Sequence, residues 1–430
     1  MYEPKRRSTA NHPVTHVICF VRECKAMKKR SVDVATSTKL LVKAGIAVAL
    51  LASTVCQMAC ASDTTGKPTL PNRSPFPPQI QLQVPYAPTA FPAEDGEHLL
   101  YELYITNFED APITLDHVDV IDSNQADRPP LATFAGHSLN EIVRKAGTDD
   151  IMDISNVAKP VNINAGSTVV LFLSVTQPPK TSMPKQVVQR LALTNGDVVQ
   201  GAPVGTQNTR LKVLAPPVEG THWIADDGPS NASDNHHRRG IFIVDGRMTD
   251  SRRFAVDWKQ VEQGMPYHGD VHADRSYYAY DKPVFAVASA TVVYVRDGLP
   301  DNPPGHNRDF HPALPVTFDN TGGNTIVLDL GDGQFAHYYH LKAGSIQVKN
   351  GQSVQVGEVI AHIGASGDAR EPHLHFEVTT EVPLLAGEGI PYVIDHFQVI
   401  GGAGHTLGPR KNETPLDGML VDFGKGRSRN

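Results

Sequence analysis

Beyond position 60 this 430-residue sequence has no cysteine; its four thiols are Cys19, Cys24, Cys56 and Cys60. Neither a disulfide nor a zinc–thiolate site is therefore available downstream, and stability there must come from packed cores. Aromatic residues are few, at 7%. No stretch after the first sixty residues approaches eighteen consecutive apolar side chains, which excludes a helical membrane span in that part. Basic residues are also in short supply, with 39 Lys+Arg against 46 Asp+Glu, so nucleic acid is a poor partner. What is abundant is turn-forming: 33 Pro and 35 Gly favour many short elements and a mostly β protein over a helical bundle. With 40% hydrophobic residues, the chain can fill more than one core at roughly 100 to 200 residues per domain.

The segment 39–53 places two lysines ahead of an apolar run too short to span a bilayer comfortably, the pattern of a secretory signal peptide. Ala59-Cys60-Ala61 supplies an A-x-A cleavage pattern that would leave Ser62 first. Cys56 and Cys60 lack the branched apolar residue three positions upstream that lipid-modified cysteines usually carry, so soluble export is expected over anchoring. Met27-Lys-Lys-Arg makes a more ordinary leader start, and residues 1–26 read as an over-extended reading frame. Positions 1–61 hold 10 basic and 3 acidic residues, which leaves 29 and 43 in the mature chain and a formal charge of −14. An exported, cysteine-free, acidic chain is expected in a bacterial periplasm or outside the cell.

Residues 62–90 read as a proline-rich linker, because missing backbone donors and fixed φ angles block regular pairing. A first domain is expected over 91–215. Its β-rich runs, at 98–106, 113–120, 168–175, 187–193 and 209–214, have strand length and sandwich-like spacing. It shows no cluster of titratable groups and reads as an accessory module. Pro216-Pro217 followed by Gly220 mark a boundary, and a second domain is expected over 216–405. Its strands fall at 254–257, 283–295, 324–330, 334–340, 359–363 and 373–378, with Asp332-Gly333 as a type I′ hairpin signal. The segment 406–430, rich in Gly, Lys, Arg and Asn, is expected to be loosely held.

His373-Leu-His375 lies in an alternating run, so both imidazoles fall on one face and Leu374 on the other. Such a pair can place one ring on a metal and leave the other to handle protons; two solvated histidines on an edge strand is the competing reading. His337, three residues before His340, should face away from it. His362 is expected to face away from such a site or to pack in the core, and His236-His237-Arg238-Arg239 reads as a solvated loop.

The segment Gly364–Val378, preceded by Tyr339-His340-Leu341, Val348–Ile360 and the Pro283–Ala288 run, resembles the lysostaphin-type (LytM-like) zinc metallopeptidases, over roughly Gly240 to Pro391. The resemblance implies a lysostaphin-type antiparallel β-sheet peptidase domain, and with the sandwich-like runs before it the expected fold is all-β, an N-terminal antiparallel β-sandwich followed by that domain. It also implies a Zn2+ cofactor, peptidoglycan peptides as substrate, and narrow preferences set by loops such as 297–317. Carried over residue by residue, Asp257 and His375 are the implied metal ligands and His340 and His373 the catalytic pair. The family's H-x-x-x-D motif is broken: Arg253 stands four residues before Asp257, and a guanidinium cannot donate a lone pair to zinc. His268 and His272 are the nearest substitute ligands in the sequence. The alternative is a metal-free module that binds cell-wall peptides or activates another hydrolase. A lipoyl- or biotinyl-like carrier, suggested by the Val354–Ile360 pattern, lacks the exposed hairpin lysine it needs.

Overall fold

Two antiparallel sheets built from residues 80–205 stack face to face in the computed structural model, which describes residues 76–94, 96–145 and 160–424. The leader reading and all four cysteines lie outside those residues. One sheet runs in the order Ile80–Gln83, Gly96–Asn107, Thr168–Gln177, Val143–Lys145, with Phe91–Ala93 added to the second strand. The other centres on Ile113–Asp122 and Gln186–Leu193. Leu99, Tyr101, Leu103 and Ile105 of the first sheet meet Leu115, Val118, Val120 and Leu191 of the second in the sandwich core. The alternate residues Leu100, Glu102 and Tyr104 are buried too, so this strand is covered on both faces, which is why its sequence lacks a clean alternation.

The linker reading over 62–90 is corrected at its end. Ile80–Gln83 pairs with Tyr104–Asn107 as an edge strand, and Pro77, Pro78 and Pro85 sit just outside it, where no ladder donor is needed.

A ten-stranded antiparallel sheet dominates the remainder. Its order is Ser353–Val354, Ala290–Arg296, Asn324–Asp329, Phe335–Leu341, Leu374–Thr379, Val256–Gln260, Trp223–Asp226, Leu420–Asp422, Phe397–Gly401 and Gly408–Arg410. Asp332 and Gly333 both take positive φ at the tip of a hairpin, as a type I′ turn requires. The 283–295 run is not one strand: Pro283–Phe285 pairs with Val359–His362, and Ala290–Arg296 joins the large sheet. The 406–430 segment is not loose through its described part. Leu420–Asp422 lies between Trp223–Asp226 and Phe397–Gly401, because Met419 and Val421 bury fully in the same core as Trp223 and Phe397. Among the described residues no helix is long and apolar enough to cross a membrane, and all of them belong to one compact unit.

Candidate metal centre

Side-chain alternation on three adjacent strands assembles the site. Leu374, Phe376, Val378, Ala336, Tyr338, Val256 and Trp258 point into the core, so His375, Glu377, Tyr339 and Asp257 share the opposite face. The register places Asp257 directly across from His375, with Tyr339 on its other side. His340 would face the core by strict alternation. A bulge opposite Asn324–Ile326 and a left-handed backbone at His340, φ +60°, turn it into the cleft instead. Its N–H donates to Gly322 O at 2.9 Å and its carbonyl accepts from Gly364 N–H at 3.1 Å, which holds a conformation that costs roughly 1–3 kcal/mol.

Asp257, Tyr339, His340, His373 and His375 line a cleft of about 400 Å³. His375 Nδ1 lies 2.9 Å from Asp257 Oδ1, and its Nε2 lies 3.3 Å from Glu377 Oε2. His373 Nδ1 sits 2.7 Å from Glu371 O, and His340 Nδ1 sits 2.8 Å from Ser366 O. A carbonyl only accepts, so both nitrogens are N–H donors and both Nε2 atoms carry a lone pair. His373 Nε2 is 3.4 Å from Asp257 Oδ2, and the rings of His340 and His373 are 4.8 Å apart.

Arg253 takes no place at the cleft; its guanidinium runs the other way, to Glu102, Glu388 and the Gly389 carbonyl. The proposed substitutes do not fill the gap. His268 stacks on Tyr278 and His272 Nδ1 lies 3.2 Å from Pro304 O, and neither lines the cleft. The histidine that does is His237, and the reading of 236–239 as a solvated loop is overturned. His236 stays half-exposed on Asp227, while His237, Arg238 and Arg239 are buried. His237 Nδ1–H donates to Asp227 O at 2.9 Å. Its Nε2 is buried without a hydrogen-bond partner, 3.4 Å from Asp257 Oδ1, with the ring edge-on to His375 at 4.6 Å. A His-His-Arg-Arg run in a loop carries no periodicity, so only tertiary packing distinguishes it from a surface patch.

The donor set fits zinc. His237 Nε2 and His375 Nδ1 each approach Asp257 Oδ1, at 3.4 and 2.9 Å, and His236, His237 and Asp257 offer ligand atoms that all lie within 4.8 Å of one another. Two imidazoles and a carboxylate are ordinary zinc ligands. The Asp227 carbonyl behind His237 and the Glu377 carboxylate behind His375 are the outer partners that fix such rings. Burial pushes the His237, His340 and His373 imidazoles down, keeping them neutral. Burial would also lower His375, but hydrogen bonds to Asp257 and Glu377 bring it up to about 9. The Asp257 carboxyl, which burial would raise, is held well below its usual range by the His373, His237 and His375 imidazoles that face it, of which His375 carries the charge and the hydrogen bond.

Residues 276–385 match Peptidase family M23. The chain carries an M23 domain. His340, His373 and His375 lie within the matched segment, whereas His237, Arg253 and Asp257 precede it. Among solved structures the chain is similar to the catalytic domain of lysostaphin from Staphylococcus simulans (22% identity, 34% of this chain and 80% of that one, TM-score 0.20). It is also similar to a zinc-containing peptidase from Vibrio cholerae (16% identity, 71% and 85%, TM-score 0.20). A third is a putative M23 peptidase from Pseudomonas aeruginosa (18% identity, 61% and 86%, TM-score 0.20).

Proposed function

We propose that this protein is an exported zinc endopeptidase acting on peptidoglycan peptides, its metal held by His237, Asp257 and His375. The observation that carries this reading is the buried, unpartnered Nε2 of His237 aimed at Asp257 beside His375. Zinc bound there would supply Lewis acidity and lower the pKa of a water molecule to about 7. His340 and His373 handle the proton: each presents an Nε2 lone pair to the cleft and is neutral at pH 7, the state a general base requires. The ring that accepts the proton then becomes a donor, able to polarise the scissile carbonyl or return the proton to the leaving amine. Lys259, paired with Glu371 at 2.8 Å, and Arg370 and Asp368 line the same cleft. This mixed charge suits a peptide bearing both amine and carboxylate groups.

The metal-free reading rested on Arg253, and the approach of His237 weighs against it. The test is hydrolysis of purified peptidoglycan and of its cross-bridge peptides, with zinc content measured alongside. His373→Ala should lose activity by about 10²-fold or more yet keep its zinc, while His375→Ala should lose both. Unchanged cleavage by both variants would refute the assignment.

A further inference from the structure

We propose that the N-terminal sandwich is part of the metal centre, with Glu102 as the positioning residue that holds His237 against Asp257; this rests on the zinc reading above. Glu102 lies in the middle of Gly96–Asn107 and faces away from the sandwich core, since its neighbours Tyr101 and Leu103 fill that core. It is buried nonetheless. Its carboxylate accepts from two guanidinium groups: Arg238, the residue after His237, and Arg253, four residues before Asp257. One sandwich side chain therefore ties together the two segments that carry two of the three ligands.

The rest of the contact points the same way. Arg238 Nη2 donates to the Tyr101 and Leu173 carbonyls at 3.0 and 3.2 Å, and its guanidinium lies 4.9 Å from the centre of the Phe172 ring. Asn231 Nδ2 donates to the Phe172 carbonyl at 2.8 Å. On either side of Glu102, Leu100 packs with Phe91 and Phe254, and Tyr104 with Val170, Phe172 and Ile241. The loop that delivers His237 is thus seated on the outer face of the sandwich. Arg253, at the position where the resembled motif has a ligand histidine, binds the same Glu102 carboxylate that holds Arg238 in the loop bearing His237.

Groups that hydrogen-bond a metal ligand directly typically account for 10- to 100-fold in metal affinity; Glu102 acts one contact further out, through Arg238 and Arg253. The experiment is zinc affinity of the full chain by competition with a chromophoric chelator, for wild type, Glu102→Gln and Leu191→Ala. Leu191 is buried in the sandwich core on the other sheet, so its variant lowers thermal stability away from the Arg238 contact. The expected result is a zinc Kd raised about 10-fold in Glu102→Gln and unchanged in Leu191→Ala. A Glu102→Gln Kd within about twofold of a wild type that does bind zinc, or an equal loss in both variants, would overturn the positioning role. A wild type that takes up no zinc would overturn the zinc reading itself. Should Glu102→Gln not fold, Arg238→Lys, which keeps the charge but loses the fork to the two carbonyls, replaces it with the same expectation.

Discussion

At the scale of single residues, the departure at position 253 decides most. Arg253 is buried and makes charge-assisted bonds to Glu102 and Glu388, so restoring the motif should damage the protein. Arg253→His is expected to cost about 3–5 kcal/mol, the penalty for leaving buried carboxylates unpaired, with no gain in zinc stoichiometry; chemical denaturation and elemental analysis would show it. Burial would raise the Glu102 carboxyl, as would the nearby carboxylates of Asp250 and Glu388, but Arg253 and Arg238 bring it down to about 2 from 4.5. A carboxyl lowered on folding stabilises the protein above the unfolded value and loses that contribution as pH falls through the folded one. The stability advantage of wild type over Glu102→Gln should therefore be full above pH 4.5 and shrink toward pH 2, as unfolding curves across that range would show. Asp257, His340, His373 and His375 were legible as a set because a resemblance binds them to short motifs. His237 was not, because nothing in its local sequence separates a buried loop at the cleft from a solvated one.

At the scale of elements, the strands that carry the site were readable because one face of each is apolar. Leu374, Phe376 and Val378 alternate with His375 and Glu377, and period two then assigns the faces. The exceptions sit where the backbone leaves the regular ladder. His340 reaches the cleft through its own left-handed backbone in a bulge, and although histidine is enriched in that conformation a single one does not announce such a turn in the sequence. The Gly322-Gly323 turn packs against Ser366-Gly367, whose Ser366 carbonyl receives His340 Nδ1–H. Gly323 has φ +66°, and an added Cβ would lie 2.5 Å from Ser366 O. Gly323→Ala should lose about 1 kcal/mol or more and depress turnover while zinc content stays at the wild-type level, a split measurable by thermal unfolding and elemental analysis.

At the scale of the whole molecule, the composition pointed to more than one core and the strand runs to two β domains, and two large apolar clusters are present, one in the sandwich and one under the large sheet. What composition could not convey is the seam between them, because a buried Glu102 with Arg238 and Arg253 reads in sequence as three unrelated charges. The sandwich, taken from its sequence as an accessory module, presents an outer face covered by the loop that bears His237. The account stands on that histidine more than on any other group. The most direct test is zinc content by elemental analysis of purified full-length wild type and His237→Ala, prepared side by side at neutral pH. Near-stoichiometric zinc in wild type and little in His237→Ala is the predicted result. Equal zinc in both, or none in wild type, would contradict it.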